Sequence, residues 1–149
     1  MNQANKPPVS DTTLPSPVVE QDGESVIMSF DEVSVQSRMR LDDPTALDLD
    51  YSRVMMAFLL LQPQPASILM IGLGGGSLAK YCHRHLPQAR ITVVEINPEV
   101  MAARDTFQVP ADGGLFSVVP GDGAAAVGKA HSLADFVNLF LALMWLDHR

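Results

Sequence analysis

Three features of the sequence could together hold a small molecule: the glycine cluster Gly72-Leu-Gly-Gly-Gly76, the acid Glu95 and a second acid, Asp122. Glycines at 72, 74 and 76 allow positive φ and let a ligand approach the backbone closely. A helix opening just beyond them would add unpaired N–H groups. Glu95 follows the cluster by roughly twenty residues, the distance at which a strand-end carboxylate can accept both hydroxyls of an adenosyl ribose. Asp122 comes just after the next apolar run, where a side chain can reach an adenine edge. In the plainer alternative, the glycines merely turn the chain and Glu95 is a solvated carboxylate. The constellation of all three favours a bound nucleoside. A nicotinamide fingerprint would need glycine at 77, where Ser77 stands, and no phosphate-cradling G-x-x-x-x-G-K-[ST] pattern is present. The spacing G-x-G-x-G instead suits proteins that bind S-adenosylmethionine.

The elements that must position these residues alternate regularly. A short apolar strand over residues 67–71 leads into the glycine turn, and a helix over 77–86 is stopped by Pro87. A second strand spans 90–96. Pro98, at a favoured first helical position, opens a helix over 99–107. A third strand covers 115–119, followed by Gly121-Asp-Gly123, a small-residue helix and a fourth strand over 135–140. Strand–helix alternation with short links specifies a parallel sheet with right-handed crossovers. Upstream, residues 51–61 read as a helix stopped by Pro63 and Pro65, apolar on nearly every side and so expected to be buried, with Met55 and Met56 filling core space. Residues 25–30 and 32–39 read as two short strands in a hairpin around Asp31, and 40–44 as a turn. Residues 1–23, with Pro7, Pro8, Pro15 and Pro17 among polar residues, read as a flexible leader. The expected organisation is a leader (1–23), a small β-strand segment (24–44) and a partial Rossmann-like nucleoside-binding domain (45–149).

Bulk properties narrow the function class. The 149 residues suffice for one modest core. Of the net charge of −7, all falls in residues 1–50, with ten acidic and three basic side chains; the remainder carries seven of each. With no concentration of Lys and Arg, a nucleic-acid partner is disfavoured. Asp42, Asp43, Asp48 and Asp50 read as a solvated run. A single cysteine, Cys82, excludes an intrachain disulfide and fits a reducing compartment. The longest apolar run, 54–61, is far short of the roughly 20 residues that span a bilayer. The expectation is a cytoplasmic protein with no membrane partner. Cys82-His-Arg-His85 does not make a metal site, because helical residues two apart do not share a face; solvent exposure is expected there.

Three blocks resemble the spermidine synthase (polyamine aminopropyltransferase) family: Ile71-Gly-Leu-Gly-Gly-Gly-Ser77, Val93-Val-Glu-Ile-Asn-Pro-Glu-Val100 and Pro120-Gly-Asp-Gly123. The stretch Val35-Gln-Ser-Arg-Met39, with Leu47-Asp-Leu-Asp-Tyr51, is similar to the lead-in of that family's relatives. The resemblance covers roughly residues 25–130 and implies an α/β, Rossmann-like, methyltransferase-type parallel sheet, incomplete at its C-terminal side, after a small β-rich segment. It implies that Glu95 binds the ribose of decarboxylated S-adenosylmethionine or its thioether product, that Asp122 faces the adenine and that Gln36 helps hold the nucleoside. Gly72, Gly74 and Gly76 would form the turn. The family reaction is aminopropyl transfer to a small amine such as putrescine, with the nucleoside as co-substrate.

Two acids of that family are missing here. Its glycine turn carries an aspartate where this chain has Gly75, and its fourth strand ends in an aspartate where Phe140 stands, with Asn138 the nearest polar residue. The resemblance gives the first aspartate the role of helping to bind the diamine and the second that of deprotonating the attacking amine. A general base must be within hydrogen-bond reach of the proton it takes, and neither Phe140 nor Asn138 can serve. The tail over 139–149 departs from the family pattern, as a frameshift or premature end would produce, or else forms a short apolar helix capping the sheet edge. An unpaired last strand predicts poor solubility or pairing with another chain, including a second copy. Three readings stay open: a shortened aminopropyltransferase-like protein, an S-adenosylmethionine-dependent methyltransferase-like protein, and a non-catalytic nucleoside- or partner-binding module.

Overall fold

The computed structural model describes residues 14–31, 34–130 and 136–139. Two sheets are present. The first is antiparallel, in the order β1-β2-β3, from Val18–Gln21, Ser25–Ser29 and Val35–Arg40. The Asp22 carboxylate closes the β1–β2 turn by accepting from the Ser25 and Glu24 N–H groups at 2.8 and 3.1 Å. The hairpin of β2 and β3 forms as expected. Strand β1, however, lies inside the stretch read as leader. Its side chains are all exposed, so it is held by its ladder to β2 rather than by burial, and burial was the signal its composition lacked.

The second sheet is parallel, in the order β6-β5-β4-β7, from β4 (Ser67–Ile71), β5 (Arg90–Glu95), β6 (Phe116–Pro120) and β7 (Phe136–Leu139). Helices α2 (Ser77–His85), α3 (Pro98–Ala102) and α4 (Gly123–Ala130) connect them. The first two crossovers step outward from β4; the third returns to its other side. Period-two alternation splits the strands between two cores. Ile68, Met70, Ile91 and Val93 join α2 and the N-terminal sheet in the main core, whereas Leu69, Ile71 and Val94 pack under α4. Gly123 is required for that packing, since a Cβ there would overlap the Ile71 side chain.

Residues 50–60 differ from the expected single buried helix. They form a short helix α1 (Asp50–Met55) that tightens into a 3₁₀ turn, Met56–Leu60. Ser52, Met56 and Phe58 are buried, but Val54, Leu60 and Leu61 are 73%, 84% and 89% exposed. An all-round apolar helix needs protein on every side, and among the described residues the sheet covers only one. Met56 does fill core space, its sulfur 3.9 Å from that of Cys82. Cys82 is itself fully buried, while His83, Arg84 and His85 are exposed. Among the described residues no helix is long and apolar enough to cross a membrane. No group of three or more His, Cys, Asp or Glu among them could hold a metal ion.

Candidate functional site

The glycine turn, Glu95 and Asp122 converge on the C-terminal edge of the parallel sheet. Register makes this unavoidable: Ile71 pairs with Val94, and Glu95 with Pro120. The Gly72 N–H donates to the Val94 carbonyl at 2.8 Å and the Gly121 N–H to the Glu95 carbonyl at 2.9 Å, stitching the three strand ends together. Gly72, Gly74 and Gly76 have φ of +88°, +54° and +69°, so each uses the freedom that only glycine offers cheaply. Helix α2 begins directly after the turn.

Glu95 is not the solvated carboxylate of the plainer reading. It is 6% exposed and bonded through both oxygens: Oε2 accepts from the Leu73 N–H at 2.7 Å, and Oε1 from the Asn97 N–H at 2.8 Å. An ionised carboxylate has about four lone-pair sites, so two such bonds aim the group while leaving capacity for a diol. Asn97 is buried and caps α3, its side-chain oxygen accepting from the Glu99 N–H at 3.0 Å, with Pro98 at the first helical position. Ile96, between two buried residues, is 48% exposed and offers an apolar surface at the same edge. Asp122 is exposed and opens α4, accepting from the Ala124 N–H at 2.9 Å through Oδ1.

The N-terminal sheet reaches this site through β3. The Ser37 hydroxyl accepts from the Gly75 N–H at 2.9 Å, and both groups are buried. The Tyr51 hydroxyl donates to the Gln36 carbonyl at 2.8 Å. Burial pushes the Tyr51 phenol up to about 12, against an opposing hydrogen bond from Ser37. Neighbouring residues of a strand point to opposite faces. Ser37 is the residue of β3 bonded to the turn, and Gln36 contributes its main-chain oxygen to Tyr51. Position 75 is closed: a Cβ there would lie 2.7 Å from the Phe107 ring and 2.9 Å from the Ser37 Cβ. Phe107 is held in turn by Lys80, a buried amine donating to its carbonyl at 2.7 Å, which burial pushes down to about 8. A small apolar recess under the turn is lined by Ser37, Tyr51, Met70, Leu73 and Leu78.

The structure thus brings together Gly72, Gly74, Gly76, Glu95 and Asp122. Asn138 lies in β7 opposite Met70, and Phe140 falls outside the described residues. Ser37, Tyr51, Ile96, Asn97 and Lys80 were not among the sequence candidates. Only Asn97 carried a readable signal, an Asn–Pro pair at a helix start.

No family model matches the chain. It is 45% identical over 128 residues to a polyamine aminopropyltransferase of Chromobacterium violaceum, covering 85% of this chain and 45% of that protein. A probable spermidine synthase from Corynebacterium glutamicum shares the fold, with a TM-score of 0.60 at 24% identity over 78% of this chain and 43% of that one. Human methyltransferase-like protein 13, solved in complex with SAH, matches with a TM-score of 0.52 at 26% identity over 61% of this chain and 47% of that one. The chain spans somewhat under half the length of the curated relatives it matches.

Proposed function

Because this chain is a spermidine synthase-like relative of the polyamine aminopropyltransferases over most of its own length, we propose that it binds an adenosyl nucleoside at the edge formed by the glycine turn, Glu95 and Asp122. The favoured ligand is decarboxylated S-adenosylmethionine, its ribose on Glu95 and its base toward Ile96 and Asp122. The single observation carrying this reading is the buried Glu95 carboxylate, aimed by the Leu73 and Asn97 N–H groups. A carboxylate so held is pre-organised and already desolvated, which lowers the cost of accepting two hydroxyls. Under the family reaction an amine such as putrescine attacks the methylene carbon beside the sulfonium, and the carbon–sulfur bond breaks to leave the thioether. That step needs a carboxylate near the amine. Phe140 stands where the family keeps that base. Position 75, whose family acid helps bind the diamine, carries none either, and Phe107 fills the room a side chain would take. The site is therefore better equipped to bind than to react.

A second reading, methyl transfer from S-adenosylmethionine, is favoured by the likeness to the human methyltransferase-like protein. Calorimetry with decarboxylated S-adenosylmethionine, S-adenosylmethionine and methylthioadenosine separates the two, and the same titrations with putrescine present report turnover. Binding is expected with a preference for the decarboxylated form. A folded chain that binds none of the three would refute both. Glu95→Gln is the control: its amide would set an N–H₂ against one of two N–H donors, so affinity should fall about 10- to 100-fold, the worth of a hydrogen bond to a charged group.

A further inference from the structure

Residues 14–17, which precede β1, cross the same edge of the sheet. The Asn97 side-chain amide donates to the Pro15 carbonyl at 2.9 Å, and the Ser16 hydroxyl donates to Glu99 Oε1 at 3.2 Å. These contacts join residues more than eighty positions apart. Asn97 is 6% exposed and every polar group it has is engaged in one local network. Its N–H bonds Glu95, its side-chain oxygen caps α3, and its side-chain N–H₂ holds the strap. The strap is thereby fixed to the residue two positions beyond Glu95, whose own N–H bonds the carboxylate assigned to the ribose. Leu14, the residue before Pro15, is 42% exposed, and Ile96, the residue before Asn97, is 48% exposed. A nucleobase has two apolar faces, and two exposed aliphatic side chains at one edge are suited to cover them.

We propose that residues 14–17 form a wall of the nucleoside site and that Asn97 is the positioning residue coupling this strap to Glu95. The proposal rests on the nucleoside reading above. Its mechanism is a shared hydrogen-bond network: ligand on Glu95 stabilises the orientation of Asn97, and Asn97 holds the strap over the ligand. Strap order and nucleoside affinity then rise together.

The test uses the full chain with S-adenosylhomocysteine as probe, measuring affinity by calorimetry and amide exchange at Leu14, Ser16 and Val18, the residues of this stretch that carry an amide N–H. Asn97→Ser keeps a capping oxygen for α3, introduces no charge and is too short to keep the tie to Pro15. Ser16→Ala removes the second tie without touching the end of β5. In the wild type, the probe should slow exchange in the strap. Asn97→Ser should lose that protection and bind about 2- to 10-fold more weakly, the worth of one neutral hydrogen bond. Ser16→Ala should shift both readouts in the same direction by less. A purely structural Asn97 would change the melting temperature and leave ligand-induced protection intact. If the wild type binds the probe while strap exchange stays unchanged, or if both variants bind as well as wild type, the strap proposal is overturned and the site stands. If the wild type binds neither the probe nor decarboxylated S-adenosylmethionine, the site reading falls and the strap proposal falls with it.

Discussion

Glu95 and Gly75 face each other across the question of what this site can do. Two backbone N–H groups hold the Glu95 carboxylate, one from the glycine turn and one from the start of α3, so it ties two loops together before any ligand arrives. Gly75 is tied just as firmly, with its N–H on Ser37 and its α-carbon against the Phe107 ring. The resemblance drawn from sequence treats Gly75 as an acid lost. The structure adds that the room for that acid is gone too, because Phe107 is 1% exposed and cannot swing aside without opening the core. Gly75→Asp should therefore not endow the chain with diamine binding. It should destabilise the fold by about 2 kcal/mol or more, the sum of overpacking and burial of an unpaired charge. Denaturant unfolding with and without putrescine checks this. A variant of wild-type stability that gains putrescine affinity would show position 75 to be open.

Each element around the site serves as a brace, and α2 is the most telling. Its Lys80 is buried with its amine on the Phe107 carbonyl, and burial lowers its pKa from 10.5 to about 8. The unfolded chain therefore holds that proton between pH 8 and 10.5 while the folded chain has released it, so stability rises with pH through this window. It is lost as pH falls through 8. Cys82, pushed up from 9 to about 12 by burial, acts oppositely above pH 9, since only the unfolded thiol ionises there. Between pH 8 and 9 the gain should be about 1 kcal/mol per unit, the linkage slope for one proton. Lys80→Met should abolish it; an unchanged slope in chemical denaturation would show that another group sets it. These braces also mark where sequence reading stops. The strands at 67–71 and 90–95, the glycine turn and the strand-end position of Glu95 were legible because periodicity and glycine spacing are local signals. The tie from Ser37 to Gly75 spans 38 residues and has no local signature. The exposed flank of residues 54–61 was misread because hydrophobicity records a preference for burial, not the presence of a neighbour to provide it.

For the whole molecule, the two sheets meet where Ser37 of β3 bonds the glycine turn, and the acidic residues are concentrated in the N-terminal third. Its aspartates are not a bare run: Asp48 pairs with Arg38, Asp42 with Arg40, Asp43 with Arg84 and Asp50 with Arg53. Such solvent-exposed pairs contribute little to stability. On the proposed function, an adenosyl ribose would sit between the glycine turn and Glu95. The most direct measurement follows the backbone amide resonances of Leu73 and Asn97 while decarboxylated S-adenosylmethionine is titrated into the full chain. Both amides bond the carboxylate that the ribose would engage, so both should shift in a saturable way with a common affinity. Binding that leaves these two amides unmoved, or no binding at all, would contradict the account.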